Sequence, residues 1–204
     1  MIIIETISLS DAFKYPFKTP KKLLYALLLL IPIFGWLVLF GYIVRLVNEF
    51  IDGRYQEPID IDLIEDLKFG AITFVKALPF IIVYAIVTLA ISYISSTLGD
   101  LIDLLLRLFV IPILSVNFFR KQTIESFFEF DIFNVAKENL EDFITASLKQ
   151  LALNIVFVIL SIILIGIPGL LFTSSIFIAN FYGRVVVQKN TLAFKTQMSE
   201  PSTV

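Results

Sequence analysis

Asp103 and Arg107 stand four residues apart in a block, Ala77 to Phe119, whose only other charge is Asp100. On a helix that spacing puts both on one face, where carboxylate and guanidinium pair. An ionisable pair inside an apolar block is the raw material of an ion path or a proton relay. The plainer reading is a local pair that anchors a hairpin end at the lipid headgroups. It is favoured because charge at membrane depth is costly unless paired or close to the interface. Asn117, Asn154 and Asn180 also lie in apolar surroundings. Three carboxamides can line a polar pathway, but hydrogen bonding between helices is their commoner use. Thr173, Ser174 and Ser175 likewise suit close helix packing.

The acidic residues Asp52, Glu57, Asp60, Asp62, Glu65 and Asp66 are of the type that holds a divalent cation, yet they lack the ordered spacing of a calcium loop. Helix capping plus a solvated face is the expectation for them. Neither a metal site nor a cofactor is expected. The chain has no cysteine and no histidine. Zinc centres, thiol nucleophiles and Ser-His-Asp triads are therefore excluded, and an enzyme is the least expected class. A net charge of −2 gives no polyelectrolyte signal, so nucleic acid is not an expected partner.

What must position these residues is set by composition. Hydrophobic residues make up 58 % of 204 positions and charged ones 17 %, with a mean hydropathy of +0.90, far from the balance of a water-soluble domain. The expectation is an all-α integral membrane protein with the lipid bilayer as its principal partner. Three apolar blocks carry it: Leu23 to Val44 without a charge, Ala77 to Phe119, and Leu151 to Gly183 again without a charge. A helix needs about 20 residues to cross roughly 30 Å of hydrocarbon. The second block is then two crossings that turn near Leu98 to Leu101, with Pro112 as a further break. The third is two arms broken at Gly166, Pro168 and Gly169.

The first block fits either one helix kinked at Pro32 or a hairpin turning between Pro32 and Gly35. Charge arbitrates between them. If every block is a hairpin, all but Arg107 of the 16 basic residues fall on one side. The positive-inside rule then favours three hairpins, the first of them re-entrant, with both termini cytoplasmic in a cell-membrane protein.

Local signals place the remaining elements. Ser8 with Asp11, Asp62 with Glu65, and Asn139 with Asp142 read as helix starts, and Thr19-Pro20 as the start of the first membrane helix. Leu63, Ile64, Leu67, Ala71, Phe74, Val75 and Leu78 recur at helical spacing and predict an amphipathic interfacial helix running into a crossing at Pro79. The Phe-rich stretch after Glu125 predicts a second one. Residues 1–188 form a single membrane domain in this reading, and 189–204 a short disordered cytoplasmic tail. The segments IPIFGWLVLFGYIVR and IPGLLFTSSIFIANFYGRVV echo each other, each running from Ile-Pro to a Gly/Tyr pair and an arginine. Such paired, interrupted segments are a pointer to transporter-like repeats.

Taken together, Ala12, Tyr15-Pro16, Lys21-Lys22, Gly41-Tyr42, Arg45 and Gly53, followed by NFFRKQTIESFFEFDIF, the GIPG turn and Tyr182-Gly183-Arg184, resemble an uncharacterised family of archaeal and bacterial multi-pass membrane proteins, a domain of unknown function. The resemblance covers about residues 10 to 188 and brings no activity, ligand or catalytic residue with it. The expected fold is six membrane-embedded helical segments as three hairpins, plus two amphipathic interfacial helices. A membrane-organising scaffold that oligomerises is the expected function. A small channel or transporter for ions or small solutes is the alternative.

Overall fold

The computed structural model describes residues 4–19, 21–56 and 59–187, which are helical with no strand among them. Pro20 as a helix start, Glu57 of the acidic cluster and the 189–204 tail lie outside the described residues.

Ser8 opens α1 (Leu9–Lys14), its hydroxyl accepting from the Asp11 amide at 3.1 Å. A short α2 (Lys21–Tyr25) continues as a 3-10 turn, Ala26–Leu30. The chain then reverses. Ile33 takes φ 65°, the Gly35 amide donates to the Ile31 carbonyl at 3.0 Å, and α3 (Phe34–Ile51) runs back along the outgoing arm. The Trp36 indole bridges the two arms by donating to the Leu29 carbonyl at 3.0 Å.

Asp62 caps α4 (Leu63–Ile94), accepting from the amides of Ile64 and Glu65, and Pro79 is carried inside this one continuous helix. The next reversal is at Ser95, ahead of the expected Leu98 to Leu101. Ser95 leaves the helix in extended geometry and its hydroxyl caps α5 (Ser96–Leu105). A π-helical turn, Leu106–Val110, leads into α6 (Ile111–Lys121). Pro112 is therefore no break: it sits in the first turn after the π-helical segment, where a missing N–H is tolerated.

Asn139 stands at the start of α8 (Leu140–Ser161), as its spacing to Asp142 predicts, and its backbone carbonyl accepts from the Phe143 amide at 3.0 Å; its side chain makes no cap there and donates back to the Val135 carbonyl at 2.9 Å, closing α7 (Ile132–Glu138). One further expectation is corrected ahead of α9 (Gly166–Thr173). GIPG is not the turn of the third block. The reversal precedes it, with Leu164 at φ 63°, and GIPG forms the first turn of α9. The two reversals share a device: a positive-φ aliphatic residue, Ile33 or Leu164, followed two positions later by a glycine. A Cβ on Gly35 would overlap the Leu28 carbonyl, and one on Gly166 the Phe157 carbonyl. These glycines are demanded by arms in backbone contact, and the left-handed turn position is taken by Ile33 or Leu164, two residues earlier. After α9 come α10 (Ile176–Tyr182) and a π-helical turn that ends at Val187.

Among the described residues, five helices are long and apolar enough to cross a membrane: Phe34–Ile51, Leu63–Ile94, Thr97–Lys121, Leu140–Ser161 and Gly166–Val187. The sixth expected segment, Lys21–Leu30, would span roughly 15 Å at 1.5 Å per residue, about half a bilayer core.

The core is aromatic. Tyr15, Tyr42, Tyr182, Phe50, Phe118, Phe157, Phe172 and Phe181 are fully enclosed, and α10 is buried along its whole length. The packed face of α4 reverses the amphipathic expectation. Asp66, Gly70, Thr73 and Ala77 face inward, while Leu63, Ile64, Phe74 and Val75 are exposed and Leu67, Ala71 and Leu78 half-buried. A Cβ on Gly41 would overlap the Asp66 carbonyl and one on Gly70 the Leu37 carbonyl, so α3 and α4 cross backbone to backbone. Small and polar residues at the contact with large aliphatics outside is how helices pack where the solvent is as apolar as leucine.

Candidate functional site

Polar ties hold these helices, among them Asn48 to the Phe119 carbonyl at 2.9 Å and Arg120 to Asp52 at 2.9 Å, and the candidate carboxamides sit in three of the four described next. In the first, α3 presents Arg45 one turn beyond Gly41, and α4 presents Asp66 one turn before Gly70. The guanidinium grips the carboxylate through both oxygens, at 2.6 and 2.7 Å, with Asp66 wholly enclosed and Arg45 34 % exposed. Arg45 also donates to the Asp60 carbonyl at 3.0 Å, and the Asp62 amide donates to Asp66 at 2.9 Å, so the pair pins the loop before α4. Sequence reasoning placed Asp66 on a solvated face. The 21-residue separation across a reversal hides the pairing.

In the second tie, Tyr182 donates to the Asn117 carbonyl oxygen at 2.8 Å, and the Asn117 amide donates to the Ser126 carbonyl at 2.8 Å and to Glu129 at 3.0 Å. Lys121 pairs with Glu129 at the mouth of a recess of about 340 Å³ bordered by these groups. Lys121 first, and then Asn117, holds the Glu129 carboxyl below its ordinary value. Because the folded pKa is the lower one, this tie stabilises the protein above the unfolded value of about 4.3 and is lost as pH falls through the folded value. An acid titration of the wild type followed by tyrosine fluorescence should therefore show a loss of stability below about pH 4. In Glu129→Gln that step should shrink, and an unchanged acid limb would remove Glu129 from the account.

In the third tie, Gln150 on α8 spans the interruption between α9 and α10. Its amide donates to the Thr173 carbonyl at 2.7 Å and to Asn154 at 3.0 Å, and its carbonyl oxygen accepts from the Phe177 amide at 3.2 Å. A buried carboxamide thus serves both backbone groups freed by the break, the condition for irregular backbone inside an apolar medium. Ser147, one turn earlier, is buried with no hydrogen-bond partner for its hydroxyl among the described residues. Gln150→Leu keeps the bulk and strands the Thr173 carbonyl and the Phe177 amide. It should cost about 1–3 kcal/mol, read as a lower unfolding midpoint in detergent micelles. A wild-type midpoint would mean the break is held by other contacts.

The fourth tie is Asn180. It accepts from the Ile7 amide at 3.4 Å and donates to the Glu5 carbonyl at 2.8 Å, binding the amino-terminal segment against α10. Arg184, one turn on, donates to Asn180 and pairs with Asp142 at 2.8 Å. The sequence echo is visible here, since Arg45 and Arg184 each pair with an aspartate in the first turn of a neighbouring helix.

Asp103 and Arg107 do pair, Nε to Oδ2 at 2.6 Å, and Tyr84 donates to the other carboxylate oxygen. They stand apart from Asn117, Asn154 and Asn180, which are themselves distributed over three separate ties. No group of three metal-ligating side chains occurs among the described residues.

Residues 24–168 match the family model described as a protein of unknown function, DUF4013. The chain belongs to that family. No curated protein and no solved structure matches it. The DUF4013 match takes in the Arg45–Asp66 pair, Asn117, Gln150 and both reversals at Ile33 and Leu164, and it stops before Asn180 and Tyr182. Of the polar groups that matter, sequence reasoning missed Gln150. Its signal was the i, i+4 spacing to Asn154 on an apolar helix.

Proposed function

We propose that this DUF4013 protein is a non-enzymatic, multi-pass component of the cell membrane that organises the bilayer around it. Its three hairpins supply six embedded segments, the first re-entrant, with both termini cytoplasmic and the Phe-rich connection lying in the interface. The observation that carries this reading is the distribution of side chains. The candidate asparagines and Gln150 are spent on backbone and on neighbouring side chains, Tyr182, Glu129 and Arg184 among them, while Ile, Leu and Val face outward along α4, α5 and α8. A short first hairpin beside a long second one gives unequal penetration of the two leaflets, which is the shape of a wedge. Self-association through the outward aliphatic surface belongs to the same proposal.

A second reading, a small channel or transporter, is favoured by the Gln150-held break between α9 and α10, since interrupted helices serve transport sites. One reconstitution separates the two. Purified protein is placed in liposomes with an entrapped ion-sensitive dye, and vesicle diameter is followed by light scattering. Scaffolding gives a change in diameter with dye leakage equal to protein-free vesicles. Ion flux that saturates with solute concentration would replace it with transport.

Topology is tested on the naturally cysteine-free chain by single cysteines at Lys18, Gly53, Gly99 and Lys137 with an impermeant thiol reagent outside intact cells. The three-hairpin arrangement requires label at Gly99→Cys alone. Lys18→Cys and Gly53→Cys on opposite sides would sink it.

A further inference from the structure

The hairpin ends are chemically unlike. The end between α4 and α5 is polar, with Ser95 at the reversal and Thr97 and Asp100 exposed, as suits an end that meets water. At the other two, Leu30 and Ile33, and Ile162 and Leu164, are each at least 70 % exposed. No charged residue stands between Lys22 and Arg45 or between Lys149 and Arg184. The polar groups beside these two tips are turned inward. The Trp36 indole is spent on the Leu29 carbonyl, the Ser161 hydroxyl donates to the Phe157 carbonyl at 2.7 Å, and the amides of Ile162, Ile163 and Leu164 donate to carbonyls three residues back. An indole at a headgroup boundary turns its N–H to that boundary, whereas internal pairing is what hydrocarbon demands.

Packing sets how far each tip reaches. The Arg45–Asp66 pair marks a common level on α3 and α4. From it α3 extends 11 positions back to Phe34, about 17 Å, while α4 extends 28 positions on to Ile94, about 42 Å. The longer reach matches a bilayer with its headgroups, roughly 40–45 Å, and the shorter stops before the midplane. The third hairpin ends level with the first. A Cβ on Gly183 would overlap the Ile51 carbonyl, and Gly166 and Phe34 each lie 17 positions before those touching residues. The two tips also meet, since Leu27 and Leu30 share a cleft of about 400 Å³ with Leu164 and Ile165. Were these tips at the far surface, about 25 Å of the α4–α5 hairpin, with Ile86, Leu89 and Ile94 exposed along it, would stand in water.

We propose that the first and third hairpins end together among the acyl chains of the cytoplasmic leaflet, as one apolar wedge, and that the second hairpin alone crosses the bilayer. The proposal rests on the membrane reading above and deepens it by making the third hairpin re-entrant as well. All three hairpins then displace lipid in one leaflet and a single hairpin does so in the other. A leaflet loaded in this way expands against its partner, which is how a protein without a catalytic group bends or organises the membrane around it.

Trp36 is the single tryptophan and lies beside the first tip, so the wild type reports on that hairpin directly. Trp36→Phe with Ile163→Trp reports on the third hairpin, and Trp36→Phe with Tyr93→Trp on the far end of the second, all at exposed positions. Each protein is reconstituted in phosphatidylcholine vesicles brominated either near the headgroup end or near the methyl end of the acyl chains. Methyl-end bromines should quench Trp36 and the Ile163→Trp protein roughly twofold more strongly than headgroup-end ones, because both indoles lie close to the midplane. The Tyr93→Trp protein should show the opposite order. In intact cells an impermeant thiol reagent outside should label Gly99→Cys and leave Ile163→Cys untouched. Stronger quenching of either tip by headgroup-end bromines, a tip quenched by neither lipid, or outside labelling of Ile163→Cys would each overturn the proposal. Quenching of the Tyr93→Trp protein confines any such failure to the depth of the two tips. Silence in all three proteins would remove the membrane reading as well.

Discussion

Arg45→Ala should cost about 3–5 kcal/mol of stability, the penalty for leaving a buried partner unpaired. Asp66 has no access to solvent, and without the guanidinium its carboxylate keeps only the Asp62 amide. The reverse substitution should be milder. Asp66→Asn leaves an arginine that is one-third exposed, still bonded to the Asp60 carbonyl and able to turn its head towards the polar boundary. Asn at this site also keeps an acceptor for Asp62. The asymmetry is the informative part, because a pair valued for Coulomb attraction alone would give two equal losses. Replacing both partners with hydrophobic residues, Arg45→Met with Asp66→Leu, should recover much of the loss, since a well-packed apolar pair of similar size commonly matches a buried ion pair. Unfolding midpoints of the four proteins in one detergent provide the measurement. Equal losses from Arg45→Ala and Asp66→Asn would show that solvent exposure of the arginine does not matter.

The second large effect is expected at the crossing itself. Gly70→Val sets a branched side chain where even a Cβ overlaps the Leu37 carbonyl, and the obstruction is backbone, which cannot rotate aside. Overpacking of this kind costs about 3 kcal/mol or more, the upper end of the usual range. It should also act at a distance. Pushing α3 from α4 at Gly41 and Gly70 separates Arg45 from Asp66, each one turn away, so Gly70→Val and Arg45→Ala should be far from additive. A double-mutant cycle reads this directly, and strict additivity would mean that the crossing and the ion pair are independent.

The contrast between what the sequence reveals and what it conceals follows from the range of the forces involved. Class and element starts were legible because composition and capping are local: Ser8 and Asp62 cap α1 and α4 as their spacing predicts. Asn139 marks the start of α8 as its spacing predicts, but its side chain bonds back to the Val135 carbonyl one turn earlier and closes α7, a choice that the spacing to Asp142 does not reveal. The packed face of α4 was inverted for a deeper reason. Amphipathic reasoning assumes that large apolar residues seek the interior, an assumption that holds against water and lapses against lipid. Once Gly41 and Gly70 are read as a contact, Asp66, Thr73 and Ala77 follow at helical spacing on the same face. The glycines of GIPG were read as turn-makers because glycine permits reversal. The structure uses Gly166 for proximity to Phe157 and gives the left-handed position to Leu164. Gln150 escaped notice because its partners are backbone groups of a break that is itself invisible in a continuous apolar run.

The ties differ in how much chain separates their halves, and this orders them in time. Arg45 and Asp66 are 21 residues apart, so at about 5–20 residues per second the arginine waits roughly 1–4 seconds for its counter-ion. The bond from Tyr182 to Asn117 closes 65 residues of chain, and that from Asn180 to Glu5 closes 175. The amino-terminal segment therefore completes its docking late, after roughly 9–35 seconds in which the Glu5 carbonyl and the Ile7 amide lack their Asn180 partner. A nascent chain arrested before Asn180 would keep that segment open to protease while the Arg45–Asp66 pair is already closed.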